Sequence, residues 1–231
     1  MHANCRCTTI MAGFTPATRI ARETPETGKN YKVDGNMTFE EWKNSLTPEQ
    51  KAALELSRKK DANKTADKLQ FAEYKNRLGT KVTGRSFDKW QEMKYTDKEK
   101  WEDLKGFFRY KGNNPKSTQN DYNCVKELRE LGIKGSIHIP AKEIKLTELK
   151  FDNKHINEDR NHNVSEAEAK QFIEKAVLSI TKRNGLTENY YSKNGVSYVN
   201  PTEKAIKTAF TEKEFQGDVL TIMEVIKKYG Y

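Results

Sequence analysis

Cysteine is scarce in this chain: Cys5, Cys7 and Cys124 are the three in 231 residues. So odd and sparse a set builds no disulfide framework and fits a reducing compartment. No run approaches the roughly 18 apolar residues that a transmembrane helix needs. The opening M-H-A-N-C-R-C-T-T lacks the basic-then-apolar layout of a secretory leader. The patterns G-x-x-x-x-G-K-[ST], G-x-G-x-x-G and G-x-S-x-G are all missing, so P-loop, Rossmann and serine-hydrolase chemistry have no support. There are no internal repeats. Histidine is rare too, with four copies in the whole chain.

Charge is what the chain has in quantity. Charged residues make up 32% and hydrophobic residues 35%, which calls for a very polar surface and small cores, helical and modular more than one compact enzyme. The net charge of +9 invites a nucleic-acid partner. Its distribution tempers that inference. Residues 141–231 carry 15 Lys+Arg against 14 Asp+Glu, and the first 140 carry 27 against 19. The basic excess therefore sits on the helical part, where a solvated lysine-rich surface accounts for it.

Residues 1–35 are rich in Thr, Pro and Gly without periodicity and read as irregular. A helical region, 36–110, follows. Thr38 with Glu41, Thr47 with Gln50, and Thr96 with Glu99 form capping boxes, and Pro48 suits the first helical position. The pattern over 48–78 is helical, with Asp61-Ala62-Asn63 as a potential break and Gly79 as the stop. Ser86 caps a helix carrying Phe87, Trp90 and Met93. Trp101, Leu104, Phe107 and Phe108 recur at core-facing spacing. The polar stretch 111–121 opens a linker with a short helix, 111–136.

After that the period changes. Ile137 and Ile139, then Ile144, Leu146, Leu149 and Phe151, predict short strands. Ser165 and Glu168 open a strong helix whose apolar face runs Ala169, Phe172, Ile173, Ala176, Val177, Ile180. Strands at 189–192 and 196–199 flank Asn194-Gly195, a type I′ hairpin signal. A third strand covers 205–210 and a closing helix 219–228. The fold class is α+β: a helical N-terminal segment, then a small antiparallel-sheet domain, 137–231, with helices on one side.

Two stretches resemble known families. His2, Asn4, Cys5, Arg6 and Cys7, in H-A-N-C-R-C-T-T, resemble the closing motif of the Mu F-like phage head-morphogenesis (minor capsid) domain, with Ala3 where proline is usual. The match spans eight residues and implies that a truncated, split or internally initiated frame left only the tail of that domain. H-x-x-C-x-C offers three soft ligands where a closed zinc site needs four, so no metal site is assigned. R-I-A-R, Y-K-V and M-T-F-E-E-W resemble the connecting region of minor capsid proteins from phages and prophages of low-GC Gram-positive bacteria.

The second resemblance covers roughly 137–231, through L-K-F-D-N-K-H, R-N-H-N-V-S-E-A-E-A, Y-Y-S-K-N-G-V-S-Y-V and I-K-T-A-F. These resemble toxin-type nuclease domains fused to Mu F-like proteins, of the barnase–EndoU–colicin–RelE-like superfamily of small RNases. The resemblance implies RNA, tRNA included, as substrate, no cofactor, phage capsid or portal proteins and an immunity protein as partners, no membrane, and a place in the virion or the bacterial cytoplasm.

RNA can be cut without a metal because its own 2′-OH attacks the phosphate. The enzyme needs proton-transfer groups and cations near the phosphate oxygens, and histidine suits proton transfer near neutrality. His155 and His162 lie seven residues apart with Arg160 between them, just ahead of the helix at Ser165, whose N-terminus is a ready anion site. On this reading His155 and His162 share acid and base duty. Arg160 and Lys207 stabilise phosphorane charge, and Tyr191, Ser197 and Thr208 position the substrate.

Blander readings fit the same letters. Two histidines in a polar run can be solvated loop residues, Lys207 an exposed strand residue, and the hairpin tyrosines cross-strand pairs. Asp152, Glu158 and Asp159 beside the histidines suggest a metal nuclease only weakly, without helical ligand spacing. His138 falls in an apolar strand, packed or hydrogen-bonded there. The alternative to a ribonuclease is a non-enzymatic capsid- or portal-associated module with a degenerate nuclease fold.

Overall fold

Short polar side chains start most of the helices. In the computed structural model, which describes Thr18–Glu23, Asn30–Asp34 and residues 37–231, both the Thr38–Glu41 and the Thr47–Gln50 capping boxes form. The chain divides into two compact units, Met1–Asp103 and Leu104–Tyr231. His2, Cys5 and Cys7 lie outside the described residues.

In the first unit, β1 (Thr18–Glu23) and β2 (Asn30–Asp34) pair antiparallel, inside the stretch that read as irregular. Helix α1 (Phe39–Ser45) is followed by α2 (Pro48–Leu78), α3 (Thr80–Thr83), α4 (Phe87–Thr96) and the start of α5 (Lys98–Asn113). Helix α2 runs unbroken through Asp61-Ala62-Asn63, where the Asn63 amide bonds back to the Lys59 carbonyl at 2.8 Å. Asp97, not Thr96, caps α5, accepting from the Lys100 N–H at 3.0 Å; the Thr96 hydroxyl turns back to Glu92 O instead. Trp90 is buried among Phe71, Tyr74 and Trp101, with ring centroids 5.4–5.9 Å away. Buried Asp67 accepts from Lys94, Gln91 and Tyr95 at 2.5, 2.7 and 2.9 Å.

The second unit is built on a six-stranded sheet. Helix α6 (Gln119–Glu130) leads to β3 (Ser136–His138), β4 (Lys150–Phe151), α7 (Glu166–Glu174), β5 (Leu178–Lys182), β6 (Thr187–Ser192), β7 (Gly195–Asn200), β8 (Ala205–Thr211) and α8 (Asp218–Lys228). The strand order is β3-β5-β6-β7-β8-β4. All pairs are antiparallel except β4 with β8, which is parallel. The α+β class stands, with a sheet that is mixed at one edge.

Helices cover both faces of this sheet, not one. Alternation along β6 and β7 sends Tyr191 and Val196 into a core with α6 and α8, and Tyr190 and Val199 into a second core with α7. The boundary also falls earlier than 137. Cys124, Val125 and Leu128 of α6 are fully buried in the first of these cores, so the stretch read as linker and short helix belongs to the unit.

Helix α7 ends at Glu174, and Val177 and Ile180 are not on its face. Ile180 lies in β5, a strand paired on both sides; β-branched residues favour that setting over a helix end. The β6–β7 hairpin forms as expected, but its two turn residues are Lys193 and Asn194, since Ser192 pairs with Gly195. Neither has a positive φ, so the turn is not type I′. Gly195 has a different cause: a Cβ there would lie 2.4 Å from the Phe172 ring of α7.

Candidate functional site

The residues singled out from sequence fall into three groups. Tyr191 and Ser197 are core residues. Tyr191 is buried on the α6–α8 face, and the Ser197 hydroxyl donates to the Ala169 carbonyl at 2.8 Å on the other. Thr208 is half-buried opposite Tyr198.

Asp152, His155 and Lys207 form a second group. His155 stands on a π-type turn, Lys154–Asp159, whose start is tied down where Asp152 Oδ1 accepts from the His155 backbone N–H at 3.3 Å. Lys207 Nζ is held by Glu203 at 2.8 Å and Asp152 at 3.4 Å, and these carboxylates push its pKa up. A lysine so engaged is a poor phosphate ligand. Arg160 is exposed just past the turn.

His162 forms the third group. Its Nδ1 lies 2.7 Å from Glu214 Oε2 and its ring 5.5 Å from that of Phe210. The expected anion site at the start of α7 is already filled. The Ser165 hydroxyl takes the Glu168 N–H, and the Glu168 carboxylate returns to Ser165 N, with Glu166 adding negative charge.

A more connected cluster lies at the other end of the sheet, on the α7 face. His138, Ser179 and Thr181, and Glu188 and Tyr190 occupy facing positions on β3, β5 and β6. The Thr181 hydroxyl is the hub. It donates to Glu188 Oε2 at 2.6 Å and accepts from Lys142 Nζ at 2.7 Å. His138 Nε2 approaches the same oxygen at 3.0 Å. A hydroxyl has one proton and two lone pairs. With its proton on Glu188, Thr181 must accept from His138, so Nε2 carries the hydrogen and Nδ1 the lone pair. Burial pushes the His138 pKa down, helped by Lys142 and opposed by Glu188. The imidazole is therefore held neutral near neutral pH.

Lys142 Nζ also reaches Glu188 Oε2 at 3.3 Å, leaving one of its three N–H donors. The segment 141–149 is anchored over the sheet by the Lys142 N–H, which donates to Ser179 Oγ at 3.0 Å. Between this segment and the sheet opens a cleft of about 530 Å³. Thr181, Glu188 and Tyr190 line it, with Lys142, Lys145 and Lys204 around them. Burial raises the Tyr190 pKa to about 12. Glu188 is 4% exposed, and its Oε1 has no hydrogen-bond partner among the described residues.

Sequence reasoning missed Lys142, Thr181 and Glu188. The signal was the alternation L-S-I-T, with polar Ser179 and Thr181 between Leu178 and Ile180. Extending α7 through Ile180 hid it. Among the described residues no helix is long and apolar enough to cross a membrane. Compared with protein-family models, curated proteins and solved structures, the chain matches none.

Proposed function

We propose that the Leu104–Tyr231 unit is a metal-independent endoribonuclease carried on a phage minor head protein. The observation that carries the catalytic half is the Thr181-centred network of imidazole, carboxylate and ammonium, of which Thr181, Glu188 and Lys142 line an open cleft. The H-A-N-C-R-C segment supports the head-protein half by resemblance alone. The reading implies RNA as substrate and capsid or portal proteins as partners.

In this mechanism His138 Nδ1 takes the proton of the ribose 2′-OH. The 2′-oxygen bonds to phosphorus, the bond to the 5′-oxygen breaks, and that oxygen leaves with a proton from solvent. The free N–H of Lys142 stabilises the charge on the nonbridging oxygens. Glu188 acts through Thr181, fixing the tautomer that leaves Nδ1 available.

The test incubates the full chain with total tRNA in EDTA, comparing wild type, His138→Ala and His162→Ala. Wild type cuts, His138→Ala loses about 10²-fold or more, and His162→Ala keeps its rate. Loss in His162→Ala alone would move the centre to the His162–Glu214 pair. No cleavage by folded wild type, even with magnesium restored, would leave a non-enzymatic capsid or portal module.

A further inference from the structure

A merely solvated helix surface intersperses its cations with carboxylates. The stretch 58–94, from the middle of α2 through α4, departs from that: it holds eleven Lys+Arg against five Asp+Glu. Three of the five acids are neutralised within the stretch, Asp67 by Lys94, Glu73 by Arg77 and Glu92 by Lys60. Eight cations are then left with Asp61 and Asp88. Three of the eight, Lys64, Lys68 and Lys75, are exposed on α2, and none has a carboxylate in bridging distance among the described residues. At about 100° per residue they fall within about 40° of one another, in a straight row about 16 Å long. Lys68 Nζ lies over the Phe87 ring and Lys75 Nζ over the Phe71 ring, each 5.9 Å from the centroid. The two rings pack together, with centroids 5.9 Å apart. They make a floor that orients the ammonium groups without neutralising them.

We infer that the Lys64–Lys68–Lys75 row docks the phosphate backbone of duplex nucleic acid, without regard to its sequence. A duplex carries a phosphate about every 3.4 Å along each strand, so a row about 16 Å long faces roughly five of them. Fixed, regularly spaced charge suits a row of cations on a rigid helix. An anionic membrane takes a basic helix differently, with apolar side chains beside the cations to enter the lipid. Here the neighbouring Phe71 is buried in the unit's own core, and the exposed Leu69 lies about 100° round the helix from Lys68. This surface is independent of the ribonuclease reading, which concerns the other unit and needs a 2′-OH that DNA lacks.

The experiment titrates a fluorescein-labelled DNA duplex of about 20 base pairs with the full chain and reads anisotropy between about 50 and about 200 mM salt. Three phosphate contacts predict that wild-type affinity falls by about 40-fold or more over that range. The triple variant Lys64→Gln/Lys68→Gln/Lys75→Gln should bind at least about tenfold more weakly at the low-salt end, with a slope of log K against log salt that is shallower by about three. A second triple variant, Lys43→Gln/Lys51→Gln/Lys98→Gln, removes the same charge from the same unit away from the row and should keep most of the affinity and slope. Tryptophan fluorescence in urea checks that both variants fold. No binding by wild type at about 50 mM salt, or equal losses in the two triple variants, would overturn the inference. Binding to phosphatidylserine vesicles that depends on the row, without binding to the duplex, would overturn it in favour of a membrane surface.

Discussion

Replacing Thr181 by valine keeps the volume of the side chain and deletes the hub. The hydroxyl's bond to Glu188, at 2.6 Å, is to a carboxylate on a residue only 4% exposed. Such a bond is worth roughly 1.5–3 kcal/mol net. Lys142 and His138 are partly exposed and can turn to water, so their losses add little. Thr181→Val should therefore lower the stability of the second unit by about 2 kcal/mol. With a urea slope near 2 kcal/mol/M, the midpoint falls by roughly 1 M. The assay separates the units cleanly, because Trp42, Trp90 and Trp101 all precede Leu104. Tryptophan fluorescence then reports the first unit, which should not change. The circular-dichroism transition that fluorescence does not see belongs to the second. Nitrogen chemical shifts of His138 should show the Nε2–H tautomer in wild type and a mixture in the variant, with Thr181→Ser restoring both. A midpoint unmoved within about 0.2 M together with an unchanged tautomer would refute the hub.

Three further outcomes follow from packing and charge. Gly195→Ala drives a methyl into the Phe172 ring and should cost about 1–3 kcal/mol in urea unfolding, an effect that shrinks in a Phe172→Leu background. In the first unit, burial pushes the Asp67 carboxyl up, but hydrogen bonds from Lys94, Gln91 and Tyr95 outweigh it and hold it below its ordinary value of 3.8. That stability is present above about pH 4 and lost as pH falls through the lowered value; Asp67→Asn should cost about 3 kcal/mol at neutral pH and flatten the acid limb seen by tryptophan fluorescence. His138 is the opposite case, a base whose folded pKa lies below 6.5. The unfolded chain binds more protons between the two values, so the second unit should gain stability as pH rises to about 6.5 and level off above it. Urea midpoints from pH 5 to 8 should lose that slope in His138→Gln.

Local chemistry was the legible part of this sequence. Thr38, Thr47, Ser86 and Ser165 cap the helices they were expected to cap, because capping is decided within four residues. The hairpin and β8 were readable from β-branched and aromatic runs. What failed depended on distant partners. Leu178–Lys182 looks helical beside α7 and becomes a strand because β3 and β6 pair with it. The α6 helix looks like part of a linker until the sheet supplies the face that buries Cys124 and Leu128. The candidate site suffered most. Thr181 and Glu188 are seven residues apart in sequence and face each other only through strand register, and Lys142 reaches them from a different segment. His155 and His162 stood out by proximity along the chain, which carries no information about burial or about the carboxylates that occupy their neighbours.

The imidazole of this network rides on the least anchored strand beside it. Strand β3 is three residues long, sits at the sheet's rim and has β5 as its sole neighbour in the sheet, whereas β5 and β6 are held on both sides. Short rim strands fray before central ones. Breathing of Ser136–His138 would withdraw His138 from Thr181 while Glu188 and Thr181 stay in register. The network thus has a natural weak point, where transient detachment frees the imidazole and leaves the Thr181–Glu188 pair whole. Amide exchange at 136–138 that outpaces exchange at 178–182 is its signature.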